Sequence, residues 1–229
     1  MSQRDLIEEI FKENMSSEPE VRFSKVDWLD FAINVLKEHG IDEVKITQLA
    51  KSTGVTRGGF YWHFKNRSEL LDSIIEVWKR KNTASIIHAA SYGSSLEHSV
   101  LAVFEIWLDF NAFDPKLDFS IRDWARRDKK VNDLIISADR RRLTALSEMF
   151  NRYGFGSNQS EVMARNLYYM QMGYYAINVY EPMSARLDLL PIYLESYTGQ
   201  KLKKESEAKF RKLIISRREL WGDEIPPDS

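Results

Sequence analysis

Between residues 25 and 39 the apolar side chains Trp28, Phe31, Ala32, Val35 and Leu36 recur at spacings of three and four, and Gly40 follows. A period near 3.6 puts them on one stripe, so the spacing predicts a helix from Lys25 to His39 with one buried face. Ile46 to Lys51 reads as a short helix with Thr47 as N-cap. Ser52-Thr53-Gly54-Val55 reads as a tight turn, and Thr56 caps a second short helix reaching Phe64. The unit is a helix-turn-helix. Asn66-Arg67-Ser68-Glu69 has the form of a capping box with Asn in the Ser/Thr place, and opens a helix carrying Leu70, Leu71, Ile74, Ile75 and Trp78. Ser94-Ser95-Leu96-Glu97 opens another through Val100, Val103, Phe104 and Trp107, ending before Asp114-Pro115. Further helices are expected over Leu117 to Arg127, Asp128 to Tyr153, Asn158 to Tyr180, Leu187 to Thr198 and Glu205 to Leu220. No strand-like alternation bounded by hairpin turns occurs, so the fold class is all-α, with about nine or ten helices.

Punctuation residues agree. Pro19, Pro115, Pro182, Pro191, Pro226 and Pro227 leave long stretches open to helix, and Gly40, Gly54, Gly93, Gly154, Gly156, Gly199 and Gly222 fall where helices should stop. Three segments are expected: an acidic arm or helix over residues 1–20, a helix-turn-helix domain over 21–82, and a further helical domain over 83–229. The first carries six carboxylates against two basic residues, and the Pro-Pro-Asp-Ser tail should fray. With no cysteine, zinc-cysteine sites, thiol nucleophiles and disulfide scaffolds are excluded. No leader-like apolar region or run of spanning length is present, which reads as a soluble, cytoplasmic protein without a membrane partner.

The net charge of −1 hides a local concentration. From Lys45 to Arg67 there are five basic residues, Lys45, Lys51, Arg57, Lys65 and Arg67, plus His63, and no Asp or Glu. Cations so placed neutralise phosphates, while Thr56, Gly58 and Gly59 are small enough to let the second short helix approach base edges in a major groove. Arg57, near its N-terminus, is the base reader. Tyr61, four residues on and on the same face, reaches a backbone phosphate. Leu49, Val55, Phe60 and Phe64 take the core side.

Ile46-Thr47-Gln48-Leu49-Ala50, followed by Gly54-Val55-Thr56-Arg57-Gly58-Gly59-Phe60-Tyr61-Trp62-His63-Phe64-Lys65-Asn66-Arg67-Ser68-Glu69-Leu70-Leu71, resembles the TetR family of bacterial transcriptional regulators. The resemblance covers about 60 residues, Lys25 to Trp78; the rest is similar only in helix count, length and proline placement. The Gly58-Gly59 pair departs from it, since many members have a larger second residue; each glycine weakens a helix by about 1 kcal/mol relative to alanine. The resemblance implies a homodimer with its DNA-binding domain over 21–82 and a helical effector-binding and dimerisation domain over 83–229; the expected function is a repressor that binds a palindromic double-stranded DNA operator and is released by a small apolar or aromatic effector. It places Thr47, Gln48, Thr56, Arg57, Gly59, Tyr61, His63, Lys65 and Arg67 at DNA-contact positions, with His63 equally suited to packing. It also puts the helices Asn158 to Tyr180 and Leu187 to Thr198 in a dimeric four-helix bundle, with Gly173 permitting close approach.

In the effector half, aromatic residues exceed what a plain helical core requires, and tyrosine tips can orient a ligand. Trp107, Phe110, Trp124, Tyr168 and Tyr175 are the expected ligand-binding set. The run Arg122 to Asp128 reads either as a charge network between the halves or as a solvated face. His39, His88 and His98 are isolated, and no metal-ligand spacing, phosphate loop or nucleophile elbow is present, so neither an enzyme nor a cofactor or metal is expected. The competing reading is a DNA-binding organiser of the same fold with a filled effector core and no ligand.

Overall fold

The computed structural model describes residues 2–11, 23–177, 179 and 181–221, the last four of these by backbone alone. Among them the chain forms twelve α-helices and no strand. In order these are α1 (Gln3–Phe11), α2 (Lys25–His39), α3 (Ile46–Thr53), α4 (Arg57–His63), α5 (Arg67–Trp78), α6 (Ser85–Ser91), α7 (Leu96–Leu108), α8 (Pro115–Ala125), α9 (Lys129–Asn151), α10 (Ser157–Ala176), α11 (Met183–Thr198) and α12 (Lys204–Trp221). A 3-10 turn, Ile41–Glu43, and a wide-turn π segment, Lys79–Ala84, complete the regular structure. The arm across 12–20, the expected helix end at Tyr180 and the terminal Pro-Pro-Asp-Ser lie outside the described residues. No described helix is long and apolar enough to cross a membrane.

Two compact units result: Met1–Ala84 with Asp114–Ala138, and Ser85–Phe113 with Asp139–Ser229. In the first, Trp28, Leu29, Ile33 and Leu36 of α2 bury against Leu49, Phe60, Phe64, Leu70, Ile74 and Trp78. Ser24 starts α2 with a capping box: its hydroxyl accepts from the Asp27 amide at 3.2 Å, and the Asp27 carboxylate accepts from the Ser24 amide at 2.8 Å. Burial pushes the Asp27 carboxyl up, but hydrogen bonds from Ser24 and the Arg4 guanidinium outweigh it and hold the group below its ordinary value. Gly40 and Gly54 end α2 and α3 at φ 80° and 68°, a left-handed region that a Cβ disfavours.

The N-cap of α3 is Lys45, not Thr47: the Lys45 carbonyl accepts from the Leu49 amide at 2.9 Å, so the helix starts before Thr47, which lies exposed in the first turn. Asn66 caps α5, accepting from the Glu69 amide at 3.0 Å, and the Glu69 carboxylate reaches one residue further back, to the Lys65 amide at 2.7 Å.

The sequence boundary at 82/83 separates residues that pack together. Trp78 Nε1 donates to the buried Asp118 carboxylate at 2.7 Å, and Arg122 donates to its other oxygen at 2.8 Å. Asp114, the N-cap of α8, takes Lys37 Nζ at 3.0 Å with Lys81 Nζ at 3.9 Å, while Asn82 donates to the Asp114 carbonyl at 2.8 Å. Lys81, Asn82 and Thr83 are buried because the π segment turns them inward. With Leu117, Ile121, Trp124, Val131 and Ile135 these contacts draw α8 and the start of α9 into the first unit. Arg127 pairs there with Asp42 and with Asp123 at 3.5 Å.

In the second unit, Val100, Val103, Phe104 and Trp107 of α7 pack with Leu146, Phe150, Leu167, Tyr168, Leu190, Leu194 and Phe210. The helix expected from Leu187 begins at Met183 and contains Pro191. A proline leaves the carbonyl four residues earlier without its amide. That carbonyl belongs to Leu187, and Arg211 Nη2 donates to it at 3.2 Å, which is how the helix tolerates the proline.

Candidate nucleic-acid interface

The site is built on the phase of α4. Phe60 packs edge-on against Trp28 at 5.3 Å and stacks on Phe64 at 5.4 Å, and both phenylalanines are buried. Fixing Phe60 inward turns the opposite side of a seven-residue helix outward. Thr56 holds the N-terminus, its hydroxyl accepting from the Gly59 amide at 3.2 Å. Arg57, Gly58, Tyr61 and Trp62 face out, as do Thr47, Gln48 and Lys51 on α3 and Lys65 just past α4. Among the described residues the charged ends of Lys51, Arg57 and Lys65 have no carboxylate partner, whereas Lys45 sits 3.6 Å from Glu43. An exposed, acid-free surface with unneutralised cations suits a polyanion.

Of the nine expected DNA-contact residues, Thr47, Gln48, Thr56, Arg57, Tyr61 and Lys65 are brought onto this face. Three stand elsewhere. His63 is 8% exposed, beside Phe64 on the core side. Gly59 is half-buried, and a Cβ built there would meet Val55 Cγ1 at 2.9 Å, so its lack of a side chain serves the packing of α4 on the preceding turn. Gly58 has only Thr56 Oγ1 at 3.7 Å. Arg67 is half-buried with its guanidinium turned to the main chain: Nε donates to the Val44 carbonyl at 2.5 Å and Nη2 to the Ile41 carbonyl at 2.9 Å. It thereby bridges the carbonyls of the first residue of the 3-10 turn and of the residue that caps its end, and pins the α2–α3 link to the start of α5.

Trp62, 87% exposed, stands on the same outer face and is not among the expected contact residues. The sequence carried the signal: Trp62 lies two residues from both Phe60 and Phe64, about 200° around a helix from each, which is the outer side. Lys51, a member of the basic cluster outside the expected contact set, shares the exposed face of α3.

The five expected ligand residues do not fall in one unit. Trp124 is 7% exposed in the core of the first unit, carried there on α8 with Leu117 and Ile121. Trp107, Phe110, Tyr168 and Tyr175 belong to the second. There Tyr175 donates its hydroxyl to the Trp107 carbonyl at 2.6 Å and stacks on Phe113 at 5.6 Å. Tyr168 donates to Asp139 at 2.7 Å and accepts from the buried Arg142 guanidinium at 2.8 Å, whose Cζ lies 5.9 Å from the Phe113 ring centre. Arg142 joins this cluster although it is not among the expected residues. Arg142 had a sequence signal, for it occupies the apolar phase of α9 between Ala138 and Leu146.

Residues 29–74, from within α2 to within α5, match the family model described as bacterial regulatory proteins, tetR family. The chain is 41% identical over 49 residues to the HTH-type transcriptional regulator AcrR of Shigella flexneri, covering 21% of this chain and 23% of that one. It is 31% identical over 83 residues to the tetracycline repressor protein class D of Escherichia coli, covering 35% of this chain and 38% of the repressor. Each match therefore spans less than two thirds of the relative's own length. Over 86% of this chain and 94% of the other, the fold is similar to that of the ketosteroid transcriptional regulator KstR2 of Mycobacterium tuberculosis, with a TM-score of 0.55 at 12% identity. Across its helix-turn-helix, then, the chain matches the tetR family of bacterial regulatory proteins, and it is similar to such regulators over that region.

Proposed function

We propose that the protein is a homodimeric DNA-binding transcriptional regulator, a repressor that occupies a palindromic operator and leaves it when a small molecule binds its second unit. The observation that carries DNA binding is the outer face of α3 and α4, where Lys51, Arg57 and Lys65 stand exposed without a carboxylate partner among the described residues. Arg57 supplies sequence information, since a guanidinium donates two bonds to guanine O6 and N7 and discriminates by about 1–3 kcal/mol. Tyr61, Lys51 and Lys65 hold phosphates and set position and affinity.

Dimerisation is supported by the apolar side chains left in solvent on adjoining elements: Val162 and Tyr169 on α10, Ile177 just beyond it, and Leu189 and Ile192 on α11. Gly173 on α10 has open space where its Cβ would stand, which leaves room for a second helix to approach. Ligand release is supported by the polar and aromatic cluster buried in the second unit. To be useful, the ligand must favour the non-binding state by about 1–3 kcal/mol.

Selection from a random DNA library tests the reading. The wild type should enrich a palindrome with half-sites about one helical turn apart, and Arg57→Ala should lose preference at one symmetric base pair while still binding unselected DNA. Failure of the wild type to enrich any sequence would sink the proposal.

A further inference from the structure

Glu69 is the first carboxylate after the acid-free stretch that carries the exposed cations, and it stands four residues from Lys65. A free carboxylate that close along the chain competes with phosphate for the Lys65 ammonium. In the fold it is engaged elsewhere. Its Oε2 accepts from the Lys65 amide at 2.7 Å, and its Oε1 faces Lys25 Nζ at 3.9 Å. The Lys65 ammonium is left without a carboxylate partner among the described residues.

Lys25 is kept in place by rings on either side. Its ammonium lies 4.6 Å from the ring centre of Phe11 and 5.0 Å from that of Phe64, and a cation over aromatic faces is attracted to both. Phe11 ends α1 and Phe64 follows α4, so the first residue of α2 is clamped between the N-terminal helix and the end of the helix that carries Arg57 and Tyr61. The N-terminal helix is itself anchored. Ser2 and Asp5 cap it reciprocally, the Ser2 amide donating to the Asp5 carboxylate at 2.9 Å and the Asp5 amide to the Ser2 hydroxyl at 3.1 Å. Gln3 donates to Asp30 at 2.7 Å, Arg4 donates to Asp27 at 2.6 Å, and Leu6 and Ile7 are buried in the core of the first unit. Phe11, one turn beyond Ile7, is thereby fixed beside Lys25.

Resting on the DNA-binding reading above, we propose that Lys25, clamped by Phe11, is a positioning residue for DNA binding: it holds the Glu69 carboxylate on the Lys65 amide and away from the Lys65 ammonium, which stays free for phosphate. Through that clamp α1 acts on the DNA-binding face.

A double-mutant cycle on the full-length protein, read as affinity for an operator selected from random DNA and as Tm, tests this. Lys25→Met keeps the stem and removes the charge, and should weaken operator binding by about fivefold to tenfold, the scale of coupling within one charged network. Glu69→Gln leaves an oxygen to accept from the Lys65 amide. Alone it should change the affinity by less than about twofold, because the carboxylate it replaces is already engaged; added to Lys25→Met it should restore binding to within about twofold of wild type. Phe11→Leu keeps apolar packing without the ring face, and should weaken binding by about twofold to fivefold, again restored by Glu69→Gln. A simple effect of net charge would give Glu69→Gln the same effect in both backgrounds. A direct phosphate contact by Lys25 would not be restored by it, and a merely structural Lys25 would lower the Tm and leave affinity in place. Each of these results overturns the inference, as does wild-type affinity in Phe11→Leu. If the wild type selects no DNA, the DNA-binding reading falls and takes this inference with it; if it binds an operator and the cycle shows no coupling, this inference falls alone.

Discussion

Replacing Arg67 by alanine separates a residue that shapes the DNA-binding surface from one that touches DNA. Its guanidinium donates to the carbonyls of Val44 and Ile41 at 2.5 and 2.9 Å, and both acceptor residues are buried. Hydrogen bonds from a charged group contribute about 1.5–3 kcal/mol each when water is excluded. Arg67 is half-buried, so water can replace part of that gain. Its charge also sits at the first position of α5, where the helix dipole disfavours a cation by about 0.3–1 kcal/mol. The net loss on Arg67→Ala is then about 2 kcal/mol, or about 4–8 °C in Tm for a chain of this size. Arg67→Lys keeps the charge but not the fork, and should recover less than half of it. Calorimetry gives the Tm, and DNA titrations at several salt concentrations give the slope of log affinity against log salt. Affinity should fall at every salt concentration while the slope stays put, because no phosphate contact is removed. A variant that keeps its Tm and lowers the slope by about two per dimer would make Arg67 a phosphate ligand and refute the reasoning.

Two more outcomes follow. Gly173→Glu should leave the protomer folded, since open space surrounds its Cβ position, yet yield monomer by light scattering at micromolar concentration; a dimer of wild-type affinity would move the interface elsewhere. Burial pushes the phenols of Tyr174 and Tyr197 up to about 12, with the Glu181 carboxylate adding to it at Tyr174 and Tyr193 adding at Tyr197. Unfolded tyrosine ionises near 10, so their contribution is fully present below that pH and is lost as pH rises from about 10 to about 12. Urea midpoints across that window should fall for the wild type and fall less for Tyr197→Phe, whereas a flat wild-type profile would contradict the assignment.

Where a signal is local, the chain announces its structure. The three-to-four spacing of α2, the stops at Gly40 and Gly54 and the cap at Thr56 each depend on neighbours within one turn, and each stands in the fold as read. The start of α3 did not show, because Lys45 offers no capping side chain. The place of α8 did not show either: it depends on Trp78 with Asp118 and Lys37 with Asp114, pairs of polar residues 40 and 77 positions apart, which leave no periodic trace. The same division runs through the candidate interface. Phe60 and Phe64 set the phase that turns Arg57, Tyr61 and Lys65 outward, and that phase also takes His63 inward. Arg67 is drawn to two carbonyls that no residue pattern announces, and from the sequence it looked like one more cation in a basic cluster.

The central claim is that the unpaired cations of α3, α4 and the residue just past α4 grip phosphates. A double variant, Lys51→Ala with Lys65→Ala, tests it without touching the core, since both side chains are exposed and unpaired among the described residues. Affinity for the selected operator is measured against salt for wild type and variant. Removing two cations from each protomer should lower the slope of log affinity against log salt by about three to four per dimer, with the Tm unchanged. A folded double variant that binds the operator with the wild-type slope would contradict the account.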